Sequence, residues 1–157
     1  MSIPTKIREF LDSHRVEYQF CTHSPAYTAQ GLAHVQHVSG KELAKVVMVV
    51  VNGRMLMTVL PGSHRVEIDR LESLLGGLKG RLATEEEFKN LFPDCEVGAM
   101  PPFGNLYDLE VWADDELQKH PTITFNAGTH VETIRMNYED FSRLVQPKSG
   151  SFSSLRH

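Results

Sequence analysis

A lysine stands where strand packing would ask for an apolar residue. The run Leu43-Ala-Lys-Val-Val-Met-Val-Val-Val51 is β-branched and almost wholly apolar, with Lys45 just inside its start. Strand alternation puts Leu43, Lys45, Val47, Val49 and Val51 on one face. Both faces are apolar, so the run reads as a central strand. An ammonium there is partly dehydrated. It must snorkel out, pair with one of the chain's 20 acidic side chains, or meet an anion that a ligand brings. Residue types alone leave the three open; in the last case the ligand carries a phosphate or a carboxylate.

A second candidate is Gly98-Ala-Met-Pro-Pro-Phe-Gly104. Pro101 and Pro102 fix φ and bias the residues before them toward extended backbone, and the flanking glycines allow angles that other residues resist. The segment is expected to be stiff in its middle. It is also expected to present the amides of Gly98, Ala99, Met100 and Phe103 without ladder partners, as donors for a carbonyl, a hydroxyl or a developing oxyanion. Read blandly, it is a rigid connection.

A third constellation is Cys21, His23, His34 and His37, a loose set of zinc-ligand types with the last two at i, i+3. The spacing is weak for a metal site, and exposed helix histidines are the plainer reading. No His-Glu-x-x-His or paired Cys-x-x-Cys accompanies them, and no P-loop, Gly-x-Gly-x-x-Gly or Gly-x-Ser-x-Gly elbow occurs. Glu85-Glu86-Glu87 and Asp114-Asp115-Glu116 sit where helix N-termini favour negative charge. Cys95 has no activating base beside it.

The elements that would position these residues follow from periodicity and punctuation. A helix is predicted over Pro4–His14, a short strand over Val16–Thr22 and a second helix over Thr28–Val38. The apolar run ends in Asn52-Gly53 and resumes as Arg54-Met-Leu-Met-Thr-Val-Leu60, the signature of a type I′ hairpin. Asp69–Leu75 reads as a helix ended by Gly76-Gly77. Thr84 and Glu87 form a capping box on a helix that Pro93 stops. Strands are expected at Leu109–Ala113, Thr122–Asn126 and Val131–Met136, the last two joined as a hairpin, and Tyr138–Val145 closes as a helix. Hairpins outnumber strand-helix-strand units, so the class is α+β: a curled, barrel-like, mixed and mostly antiparallel sheet with helices packed outside. Residues 1–147 form one domain, and residues 148–157, rich in Ser and Gly, are expected to be a loose tail.

Composition narrows the rest. The chain has 157 residues, 41% hydrophobic and 23% charged, which suits a folded domain. A net charge of −4 disfavours wrapping duplex DNA, though a local cation can still grip one phosphate. No window approaches a membrane span, the start lacks an apolar signal, and two cysteines make no disulfide framework. A reduced, cytoplasmic location is expected.

Four stretches in order, Thr22-His-Ser-Pro-Ala-Tyr-Thr-Ala29, Gly40-Lys-Glu-Leu-Ala-Lys-Val-Val-Met-Val49, Gly98-Ala-Met-Pro-Pro-Phe-Gly104 and Phe125-Asn-Ala-Gly-Thr-His130, resemble the YbaK/ProX family. These are free-standing relatives of the editing domain inserted in bacterial prolyl-tRNA synthetase. The resemblance spans roughly Ile3 to Val145. It implies hydrolysis, in trans, of the ester joining a wrong amino acid (alanine, cysteine, serine or threonine) to a tRNA 3′ end, tRNA-Pro or a related one. The implied partners are that aminoacyl-tRNA end and a synthetase, with no membrane, no DNA, no cofactor and no metal. By the same resemblance Lys45 meets the terminal adenosine and its phosphate. Gly98 and Pro102 frame a Gly-x-x-x-Pro loop that lines the pocket with Ala99, Met100 and Pro101, and His130 stands beside it. Lys41, Arg54 and Arg135 are further candidates for the RNA end. The other readings are a non-catalytic module that binds an RNA end or a protein and, from Cys21 and the three histidines, a zinc hydrolase.

Overall fold

The Asn-Gly turn organises the fold. In a computed structural model, which describes residues 4–22 and 43–155, Asn52 and Gly53 adopt φ of +50° and +78°. They join β2 (Ala44–Val51) to β3 (Arg54–Pro61) in antiparallel register, with Lys45 opposite Leu60 and Val51 opposite Arg54. Positive φ at both turn residues matches the twist of the flanking strands, so the hairpin closes without splaying. The predicted helix over Thr28–Val38, together with His23, His34, His37 and Lys41, lies outside the described residues.

Around the hairpin, β5 (Gly80–Leu82), β2, β3, β6 (Glu110–Asp114) and β9 (Lys148–Gly150) form a sheet in that order, parallel at the β3–β6 and β6–β9 junctions. A second sheet runs β1 (Tyr18–Thr22), β8 (Glu132–Asn137), β7 (Thr122–Asn126), all antiparallel. A parallel bridge from Leu43 to Thr124 links the two. Helices α1 (Thr5–Ser13) and α4 (Tyr138–Val145) bury Ile7, Leu11, Phe141 and Val145 against them. The α+β class with mostly antiparallel sheets is therefore as expected. The barrel is not: the described strands form separate sheets joined by one bridge.

The hairpin separates two apolar clusters. Ala44, Val46 and Met48 face the larger one, which holds Met57, Phe103, Phe125 and Ile134; Val47, Val49 and Val51 face a smaller one with Leu60, Leu71, Trp112 and Phe152. The smaller cluster corrects the expected loose tail. Phe152 is fully buried, its amide donates to Asp114 Oδ2 at 3.0 Å, and β10 (Ser153–Leu155) pairs with β4 (His64–Val66). One buried aromatic ring outweighs a flexible Ser/Gly context. Gly62-Ser63 turns the chain into β4, and α2 (Ile68–Leu74) follows. The Thr84–Glu87 capping box forms, but its helix, α3 (Glu85–Phe88), stops short of Pro93. Phe92 turns into the core, and the residue before a proline disfavours helical backbone.

Candidate functional site

Two backbone hydrogen bonds fasten the Gly98 loop to the turn between β7 and β8. The Glu96 amide donates to Gly128 O at 2.7 Å, and the Gly128 amide donates to Ala99 O at 3.0 Å. His130 is held by the same segment. Its amide donates to Glu96 Oε1 at 2.6 Å, and its Nε2 donates to the Val97 carbonyl at 2.9 Å. Gly98 has φ of +86°, and a Cβ added there would sit 3.4 Å from His130 Cε1. The left-handed backbone is what favours glycine here, and the imidazole packs directly against it.

The middle of the loop is packed away. Ala99, Met100, Pro101 and Pro102 are buried, while Gly98 is exposed and His130 partly so. Phe103 pins the segment, meeting Phe10, Phe125 and Phe141 edge-on at centroid distances of 5.9, 5.5 and 5.9 Å. Rings in that arrangement attract beyond their buried area, so the loop is anchored rather than draped.

The expected set of open amides is smaller than predicted. Ala99 N donates to Glu96 O at 3.0 Å and Phe103 N to Pro101 O at 2.8 Å, because the loop turns tightly at both ends of its rigid centre. Gly98 N faces only the Met100 thioether sulfur at 3.2 Å, a weak acceptor.

Lys45 is half-buried on β2. Leu43, two residues before it, is bridged in parallel to Thr124, itself two residues before Asn126 at the end of β7. Residues paired across a sheet share a face. That places Lys45 on the same face as Thr124, Asn126, Thr133 and Arg135, opposite the Phe125 and Ile134 face. Thr124 and Asn126 went unnoticed in the sequence. Their signal was the alternation in Thr122-Ile-Thr-Phe-Asn126, which makes one face polar, and burial leaves Thr124 Oγ1 and Asn126 Oδ1 without hydrogen-bond partners.

The remaining cations divide. Arg135 lines a groove of about 580 Å³ with Gln19, Thr122 and Asn137, on the same sheet face and farther from the loop. Arg54 is at the far end of the hairpin, roughly 20 Å along the strand from Lys45 at about 3.3 Å per residue. There it pairs with Glu110 at 3.8 Å, which removes it from the Lys45 site. Of the proposed zinc set only Cys21 is described, and it is exposed; among the described residues no cluster of three metal-ligand side chains occurs. Burial pushes the Cys95 thiol up to about 12, against a 2.9 Å Tyr107–Asp94 hydrogen bond, so it is no nucleophile at neutral pH.

Comparison with known proteins fits this geometry. The family model for the aminoacyl-tRNA editing domain matches residues 23–144. The chain belongs to that family. Among relatives of this editing domain, the multifunctional Ser/Thr-tRNA deacylase ProXp-y of Escherichia coli (strain K12) is 25% identical over 147 residues, covering 90% of this chain and 87% of the relative. The prolyl-tRNA editing protein ProX of Acetoanaerobium sticklandii is 22% identical over 151 residues, covering 92% of each. The solved structure of hypothetical protein APE2540 superposes with a TM-score of 0.85 at 21% identity, over 95% of this chain and 99% of the other. The editing-domain resemblance read from the four motifs is thereby shown. Among the described residues, no helix is long and apolar enough to cross a membrane.

Proposed function

We propose that this editing domain is a trans-acting aminoacyl-tRNA deacylase that hydrolyses the ester of a small wrong amino acid on a tRNA 3′ end, tRNA-Pro or a related one. The observation that carries the reading is the family match across residues 23–144. Its named relatives, a Ser/Thr-tRNA deacylase and a prolyl-tRNA editing protein, support the reaction and the substrate class.

The roles follow from the chemistry such an ester needs. Lys45 anchors the terminal nucleotide through its phosphate, a charge-assisted contact that sets the register of the ester. The backbone of Gly98–Pro102 lines the aminoacyl pocket, where the weakly engaged Gly98 amide is the donor best able to meet the carbonyl oxygen as charge builds on it. Ala99, Met100 and Pro101 shape the wall, and His130 holds the loop at its Gly98 end. Water adds to the ester carbonyl, the tetrahedral centre collapses, and the ribose oxygen leaves with a proton, giving free amino acid and an uncharged 3′ end. An aminoacyl ester is already activated, so positioning and oxyanion stabilisation suffice without a triad. With a net charge of −4, the grip on tRNA is confined to its single-stranded end, and a synthetase partner would hold the remainder.

The test is a deacylation panel. tRNA-Pro charged with alanine, serine, threonine, cysteine or proline is incubated with the protein, and release of free amino acid is followed. Turnover of at least one small noncognate ester, with prolyl-tRNA spared, is expected. Binding without turnover on every ester would instead make the chain a non-catalytic reader of the RNA end.

A further inference from the structure

Glu96 joins the two segments of the site. Its backbone spans them: the amide donates to Gly128 O at 2.7 Å, and the carbonyl accepts from the Ala99 amide at 3.0 Å. Its side chain adds a third contact, Oε1 accepting from the His130 amide at 2.6 Å. A carboxylate acceptor makes such a bond shorter and stronger than a neutral one does.

The flanks of that contact are fixed. Before Glu96, Asp94 accepts from the Tyr107 hydroxyl at 2.9 Å, and the Cys95 amide donates to Phe92 O at 3.1 Å. On the turn, Gly128 lies so close to Pro4 that a Cβ there would stand 2.7 Å from the proline Cδ. His130 is then gripped at two points, its amide by Glu96 and its Nε2 by the Val97 carbonyl at 2.9 Å. Between those points its ring lies against Gly98. Where the ring lies therefore depends on the Glu96 carboxylate.

We infer that Glu96 is a positioning residue: its carboxylate fixes the His130 backbone and, through the ring, the place of the Gly98 amide at the ester carbonyl. The inference rests on the deacylase reading above. Glu96 is exposed, so losing one hydrogen bond there costs the fold little. A small displacement at a reacting ester costs the rate much more. The two effects can be measured apart.

The experiment takes one misacylated tRNA-Pro and follows its deacylation by wild type, Glu96→Ala, Glu96→Gln, His130→Ala and the Glu96→Ala/His130→Ala double variant. Glu96→Ala should lower kcat about tenfold or more. Its KM should stay within about threefold of wild type, because the contact of Lys45 with the nucleotide is untouched. Glu96→Gln keeps an acceptor oxygen for the His130 amide and should retain kcat within about threefold. The double variant should lose no more than the worse single one, as expected for two residues acting through one contact. The Tm of Glu96→Ala should fall by no more than about 4 °C. A wild-type kcat in Glu96→Ala overturns the inference, as do losses that multiply in the double variant. Glu96→Gln as impaired as Glu96→Ala also overturns it, since the charge and not the hydrogen bond would then be what works. So does a Glu96→Ala protein that melts far below wild type, which would make the contact one the fold needs. Each of these leaves the deacylase reading standing, because wild type turns over. If wild type clears no ester of the panel, that reading itself fails and the inference goes with it.

Discussion

Replacing Gly98 by alanine asks whether the loop works through its backbone. The residue sits at φ +86°, a conformation that costs an L-residue roughly 1–2 kcal/mol. The new methyl would also stand 3.4 Å from Cε1 and 3.7 Å from Nε2 of His130, at the near edge of van der Waals contact with the ring. The same ring makes the 2.9 Å bond to the Val97 carbonyl, one of the contacts tying loop to turn, so any shift of it acts on that bond. For a domain of this size, the backbone term alone lowers Tm by about 2–8 °C. Activity should suffer more, because a misplacement of about 1 Å at a positioned ester can cost roughly a hundredfold in rate. Melting by circular dichroism and single-turnover deacylation, on Gly98→Ala beside wild type, give the two numbers. A variant with wild-type Tm and wild-type rate would refute the claim that this glycine and His130 hold the loop.

Two further outcomes concern stability. Phe152→Ala should remove about 3–5 kcal/mol, the usual loss for a fully buried phenylalanine, and loosen β10 from β4; a melt within a degree or two of wild type would restore the loose tail. The two-pronged Arg81 guanidinium, helped by the Thr84 amide, holds the Glu87 carboxyl down to about 2. Because the folded value lies below the ordinary one near 4.5, this contribution is complete above pH 4.5 and is lost as pH falls toward 2. Glu87→Gln should therefore flatten the acid limb of a Tm-against-pH curve in that window. Parallel curves for the two proteins would count against the pairing.

Local chemistry made part of this molecule legible before any coordinates. The β2–β3 hairpin, the Thr84–Glu87 box and the β7–β8 pair each carry their instructions within a few residues: β-branched runs, an Asn-Gly turn, a reciprocal cap. The short strands β4, β5, β9 and β10 do not. Each is three residues long and its pairing is decided at a distance, as when Phe152 docks beside Trp112 and pulls a Ser/Gly segment into order. The same division holds at the site. Lys45 declared itself by being charged in an apolar strand, and the loop by its prolines and glycines. The internal use of the Ala99 and Phe103 amides, and the unmet Thr124 hydroxyl, depend on which atoms tertiary packing brings near, and no spacing encodes that.

Lys45→Ala is the variant that decides between anchoring and packing. Deacylation of a misacylated tRNA that wild type clears should fall by about a hundredfold or more in kcat/KM, as expected when one member of a desolvated charge contact is removed. The circular dichroism spectrum and melting profile should stay close to wild type, since the side chain is only half-buried. Turnover equal to wild type in a folded Lys45→Ala protein would contradict the account at its centre.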